Sequence, residues 1–329
     1  MALVRRFAVL ALRSRAAGQA SGGAAGREQV RWSGTHDGIR LLKLNGSPMD
    51  HAPSADPAVA ELIAACRSLA EEGFGARLLG IYLIGSLAHG GFAPAASDVG
   101  VALILSDPLT ERDAEQISAL AAYCAAAHPR YGRRLSLFWT SPAAFAGTDD
   151  VQVAGRFPAI DRLDLMLNGL PVGGTDLRRE LAPPTRQAIL ENCREDVLRF
   201  IRDPSRYGFL TSGAPYDFAD HRALARLCLF PARFLHTVAT GTVASNDVAA
   251  REILRNPREP DAAIVTLGLI LRQDPQYALA EEECALLRAT LPDYYRRFLH
   301  DFLRLLDRPA PPEDATTPLL LAALDQAGT

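Results

Sequence analysis

The stretch Gly85-Ser86-Leu87-Ala88-His89-Gly90, followed after a short spacer by Ser97-Asp98, holds the residue types in this chain that could do chemistry together. Glycine and serine directly after an apolar run place free backbone N–H groups at the start of a short helix. Such a turn can hold a phosphate, and the Ser86 hydroxyl adds a further donor. Asp98 opens the next apolar run, so its carboxylate is expected beside that phosphate. A carboxylate in that position can carry a Mg²⁺ ion, which keeps water ligands and bridges protein to phosphate. Each residue also has a plainer reading: a glycine turn between strand and helix for Gly85-Ser86, a solvated or capping carboxylate for Asp98, and a surface ring rather than a nucleotide contact for His89. Arg133 and Arg134 read as a solvated rim or as phosphate contacts.

The elements that must position these residues follow from periodicity. Val59, Leu62, Ile63, Cys66 and Leu69 recur at helical spacing over 57–72, and Gly73 and Gly75 end that helix. The continuous apolar runs 78–84 and 99–105 predict buried strands, and 135–139 is a third strand candidate. Residues 108–127 form a helix that begins acidic, as the helix dipole favours. Residues 161–167 read as helix or strand, with turns at Asn168-Gly169 and Gly173-Gly174. From Pro183-Pro184 onward helical patterns follow one another over 185–202, 218–240, 245–255, 260–273, 276–289 and 291–307, and a short Leu/Ala helix follows Pro309. No fixed-period repeat is present, which points to a bundle rather than a solenoid.

Composition bounds the function class. The chain has 329 residues, 48% hydrophobic and 22% charged, an ordinary globular balance that suggests two domains. Its apolar runs fall short of the roughly 18 residues a membrane span needs. The five cysteines are scattered without a CxxC pair, which speaks against a zinc ribbon or a disulfide framework and fits a cytoplasmic protein. Lys43 is the single lysine, so Schiff-base chemistry is nearly excluded, while arginine remains available for phosphate. The chain carries net −3 although residues 1–48 are strongly basic, so the body is acidic and unlike a nucleic-acid groove. That N-terminal segment reads as a disordered or mis-assigned extension, with Met49 as an alternative start; a transit or secretory leader is the competing reading.

The Gly-Ser, spacer, Asp pattern resembles the nucleotidyltransferase superfamily with the DNA polymerase β-like fold, and within it the streptomycin/spectinomycin adenylyltransferases. The segment 227–250, with Thr240-Gly241 and Val243-Ala244-Ser245-Asn246-Asp247-Val248-Ala249-Ala250, is similar to a helical-domain motif of that family. The resemblance implies an α/β (α+β) protein: a small mixed-sheet nucleotidyltransferase-like domain over 55–182, then an all-α helical bundle over 185–327. It implies ATP and Mg²⁺ as cofactors, with Gly85, Ser86 and His89 at the nucleotide and Asp98 as catalytic and metal-binding carboxylate. A nucleotidyl group would move to a hydroxyl of a small-molecule acceptor such as an aminoglycoside, with neither a nucleic-acid polymer nor a membrane as partner. The chain departs from the pattern at Gly100 and Ser136, where carboxylates are expected, and at Asn246, where a lysine is. Asp149, Asp150, Asp161 and Asp164 are candidates to substitute. The alternative is a degenerate relative that binds a nucleotide or regulates.

Overall fold

The computed structural model describes residues 56–147, 155–203, 208, 216–255 and 258–306. The expected N-terminal extension, Asp149, Asp150 and the helix after Pro309 lie outside them. Helix α1 (Pro57–Phe74) starts where sequence chemistry places it: Pro57 occupies the first turn, and the Asp56 carboxylate accepts from the Ala58 N–H at 3.1 Å. It runs through Gly73 and stops at Gly75, whose φ of +51° suits glycine.

Strands β1 (Leu78–Ile84) and β2 (Val99–Leu105) pair antiparallel, with Ile84 opposite Gly100. Helix α2 (Glu111–Ala127) begins later than the expected residue 108, because Thr110 caps it in a reciprocal box with Asp113. It crosses over to β3 (Leu135–Thr140), which lies parallel to β2 with Gly100 opposite Ser136. A short helix α3 (Pro142–Ala146) follows, then α4 (Ala159–Asn168), which settles the ambiguous 161–167 segment as helix. Gly173-Gly174, expected as a turn, forms the end of β4 (Leu170–Gly174), which pairs antiparallel with β1. The sheet is therefore mixed, in the order β3-β2-β1-β4.

Both sheet faces are covered, which explains the unbroken apolar strands. Val99, Val101, Leu103 and Leu105 share one core with Leu62 and Cys66 of α1 and with Ile117 and Leu120 of α2. On the other face Tyr82, Ile84, Ala102 and Ile104 meet Phe145, Leu165, Met166 and Leu181. By strand alternation Asp98 and Gly100 belong to this second face, the one α4 covers.

The described residues fall into two compact units, 56–193 with 241–245 and 194–240 with 246–306, the division falling inside helix α5 (Arg186–Arg202). The second unit contains α6 (His221–Thr240), α7 (Asn246–Arg255), α8 (Glu259–Gln273) and α9 (Glu281–Leu305). The break expected between 289 and 291, just before Pro292, is absent and α9 continues through that proline. A helix-interior proline costs about 3 kcal/mol, but Leu287, Leu291, Tyr294, Tyr295 and Phe298 form one buried stripe across it. Burial contributes about 1.5–3 kcal/mol for each large apolar side chain, so packing decides. Phe200 stacks on Phe230 at 4.1 Å and on Tyr295 at 5.6 Å, and the Tyr295 hydroxyl donates to the Leu227 carbonyl at 2.7 Å. At the acidic start of α9 Glu283 is buried, taking hydrogen bonds from the Tyr277 hydroxyl at 2.6 Å and the Ala280 N–H at 2.9 Å. None of the described helices is long and apolar enough to cross a membrane.

Candidate functional site

The site grows from the end of β1. Ile84 is buried and locked in the sheet, and the chain leaves it through Gly85 with φ +70°, a conformation that L side chains resist. A Cβ at Gly85 would meet nothing within 4 Å, so this side of the turn is open. The expected short helix does not develop. Residues 85–90 instead close as a single turn, with the His89 N–H donating to the Gly85 carbonyl at 3.0 Å and the Gly91 N–H to the Ser86 carbonyl at 2.9 Å, and Gly90 at φ +69° ends it. A first helical turn leaves its leading N–H groups without internal partners. Here those of Ser86, Leu87 and Ala88, with the Ser86 hydroxyl, have no hydrogen-bond partner among the described residues.

The Gly85 N–H is different. It donates at 2.7 Å to Oδ2 of Asp164, which α4 brings over the second face of the sheet. The other oxygen, Oδ1, lies 2.5 Å from His89 Nε2 and accepts from Asn168 Nδ2 at 2.9 Å. Asp164 is 3% exposed. Burial raises the pKa of its carboxyl, but the His89 hydrogen bond and charge, then Asn168 and Gly85, outweigh burial and hold it below the usual carboxylate value. His89 keeps only 8% of its side chain exposed, and its Nδ1 is unpartnered among the described residues. The carboxylate therefore fixes both ends of the turn, Gly85 by its backbone and His89 by its ring.

The four residues expected at the site fall as follows. Gly85, Ser86 and His89 share this turn. Asp98 is half-buried and immediately precedes β2, beside the Gly85 end of β1 through the Ile84–Gly100 pairing. The second expected carboxylate position is closed as well as empty: a Cβ on Gly100 would lie 2.9 Å from the Ile84 carbonyl oxygen and 3.1 Å from its Cγ1. The third is Ser136, directly across from Gly100 on β3. Of the candidate substitutes, Asp161 is half-buried in the first turn of α4, and both oxygens of Asp164 are already occupied. Among the described residues no three His, Cys, Asp or Glu side chains are grouped to hold a metal. The described residues thus do not by themselves assemble the two-ion arrangement that phosphoryl-type transfer commonly uses.

Arg133 is exposed, and Arg134 lies 4.6 Å over the Tyr131 ring while donating to the Pro94 carbonyl at 2.7 Å. Asp247 stands in the first turn of α7, and Gln273 donates to it at 3.4 Å. Sequence reasoning overlooked the convergence of Gly85, His89 and Asn168 on Asp164. The one available signal was the i, i+4 spacing of Asp164 and Asn168 on one helix face.

No family model matches the chain, and no curated protein matches it. Among solved structures, the spectinomycin adenyltransferase AAD(9) from Enterococcus faecialis, crystallised with ATP and spectinomycin, is similar over 82% of this chain and 99% of that one, with 13% identical residues and a TM-score of 0.43.

Proposed function

We propose that the chain is a nucleotidyltransferase-like protein whose first unit binds the triphosphate of a nucleotide, ATP by the sequence resemblance, at the Gly85–Ala88 turn. The observation that carries this reading is the set of unpartnered donors there: three consecutive N–H groups and the Ser86 hydroxyl, on an open turn after a buried strand. His89 adds a ring nitrogen to the same set. In the transfer reaction a hydroxyl of a small-molecule acceptor, an aminoglycoside by the same resemblance, attacks the α-phosphorus. The bond to the departing pyrophosphate breaks, and the hydroxyl proton passes to Asp98. A positioned base of this kind contributes roughly 10²–10⁴ in rate.

A second reading, nucleotide binding without transfer, is favoured by one feature, the closed backbone at Gly100 opposite Ser136. The deciding experiment incubates the full chain with α-labelled ATP and a panel of aminoglycosides and other polyols, with binding of ATP, GTP, CTP and UTP followed by calorimetry. A labelled acceptor supports transfer, and binding with no labelled product supports the second reading. Absence of binding by every nucleoside triphosphate removes both.

A further inference from the structure

Resting on the transfer reading above, we infer that His89 is the acid that protonates the departing pyrophosphate, with the buried Asp164 as its positioning residue. The way the ring is held carries this. His89 Nε2 lies 2.5 Å from Asp164 Oδ1, which also accepts from Asn168 Nδ2 at 2.9 Å, and Oδ2 accepts from the Gly85 N–H at 2.7 Å. Burial at 3% exposure works against the charge on this carboxyl, yet the three donors keep it ionised. An ionised carboxylate has no proton to give, so Nε2 is the donor of the pair and carries a hydrogen. The ring exchanges its other proton at Nδ1.

Nδ1 has no hydrogen-bond partner among the described residues. The fully enclosed side-chain nitrogens and oxygens that lack a partner there are Nε of Arg162 and Nε of Arg297. Nδ1 is not among them, so it is accessible from outside. A buried carboxylate on one ring nitrogen, with the other left accessible, fixes the tautomer of a histidine and stabilises its cation. The same turn carries the N–H groups of Ser86, Leu87 and Ala88 to which the reading above assigns the triphosphate. In transfer, the acceptor oxygen forms its bond to the α-phosphorus as the bond from that phosphorus to the pyrophosphate oxygen breaks. The electron pair of the broken bond stays on pyrophosphate, which takes the Nδ1 proton, while the hydroxyl proton goes to Asp98. Exchange with solvent then returns both side chains to their starting forms.

The test is single-turnover transfer by the full chain from ATP and from its β,γ-methylene and β,γ-difluoromethylene analogues, to the acceptor that α-labelled ATP identifies. Fluorine withdraws electrons, so the difluoromethylene bisphosphonate leaves as the weaker base and depends less on an acid. His89→Gln removes Nδ1 while its amide can still donate to Asp164. It is expected to slow transfer from ATP by about 10²-fold, and to slow the methylene analogue about tenfold more than the difluoromethylene one. A histidine that only held the turn would give one loss common to all three nucleotides. Equal losses therefore overturn the inference and leave the transfer reading standing. Should His89→Gln fail to fold in a thermal melt, Asp164→Asn decides, because it removes the charge that stabilises the imidazolium. It shows the same dependence on the leaving group, or the inference falls. If wild type labels no acceptor, the transfer reading goes and the inference with it, whereas calorimetric binding of ATP would still keep the second reading.

Discussion

Replacing Asp164 by alanine tests how the candidate site is held together. The variant strips away the acceptor on which the Gly85 N–H, His89 Nε2 and Asn168 Nδ2 converge at 2.7, 2.5 and 2.9 Å. A buried donor left unpaired costs about 1–3 kcal/mol, and the variant removes the acceptor of three at once. Water entering the vacated space offsets part of this, so the expected loss is about 3 kcal/mol. Asp164→Asn keeps the volume and one acceptor oxygen, and its expected loss is about half as large. The assay is urea unfolding at neutral pH followed by fluorescence of Trp139 in a Trp32→Phe background. Trp139 is buried in β3 of the same unit, which matters because a chain of two units does not have to unfold in one transition. The pH dependence has a definite sign. The Asp164 carboxyl is held below its ordinary value of 3.8, so its contribution is present above that value and is lost as pH falls through the folded-state value. Wild-type and alanine-variant stabilities therefore converge in acid. An Asp164→Ala protein within about 0.5 kcal/mol of wild type at neutral pH, the range of ordinary surface changes, refutes the view that this carboxylate fixes the turn.

Gly100→Asp restores the carboxylate of the resembling family, yet its Cβ begins 2.9 Å from the Ile84 carbonyl oxygen. The expected result is a loss of about 1–3 kcal/mol in the same Trp139 melt, and unchanged stability would show that the strand yields easily. In the helical unit, Glu283→Ala leaves the Tyr277 hydroxyl and Ala280 N–H without their acceptor. It should cost about 1–3 kcal/mol by far-ultraviolet circular dichroism, whereas no change would mean that water replaces both bonds. Gly268 lets α8 approach α6 closely, since a Cβ there would meet Cys228 Cβ at 2.6 Å. Gly268→Ala should cost a similar amount through overpacking, and an unshifted melting temperature would show that the two helices separate freely.

Much of this protein was legible before its tertiary structure. The runs 78–84 and 99–105 were consistent with buried strands, because they are continuous apolar stretches of strand length bounded by glycine and polar turns. Their bounds agree with β1 and β2 residue for residue. Gly85-Ser86 was likewise identifiable as an open turn from glycine's backbone freedom and its place after a strand.

What the linear chain left undetermined depended on contacts between distant segments. Pro292 looks like a helix end by local propensity, and only the aromatic stripe packed across it keeps α9 continuous. Gly100 looks like a vacant position in a motif, and only its register against Ile84 makes it a closed one. Asp164 looks like one aspartate among several in an irregular stretch. Its role arises because α4 lies over the sheet and lowers that one carboxylate onto a turn 79 residues earlier in the chain. Periodicity and backbone stereochemistry act locally and can be read from sequence. The partner of a buried charge is settled by packing, where an unpaired carboxylate costs too much to remain alone.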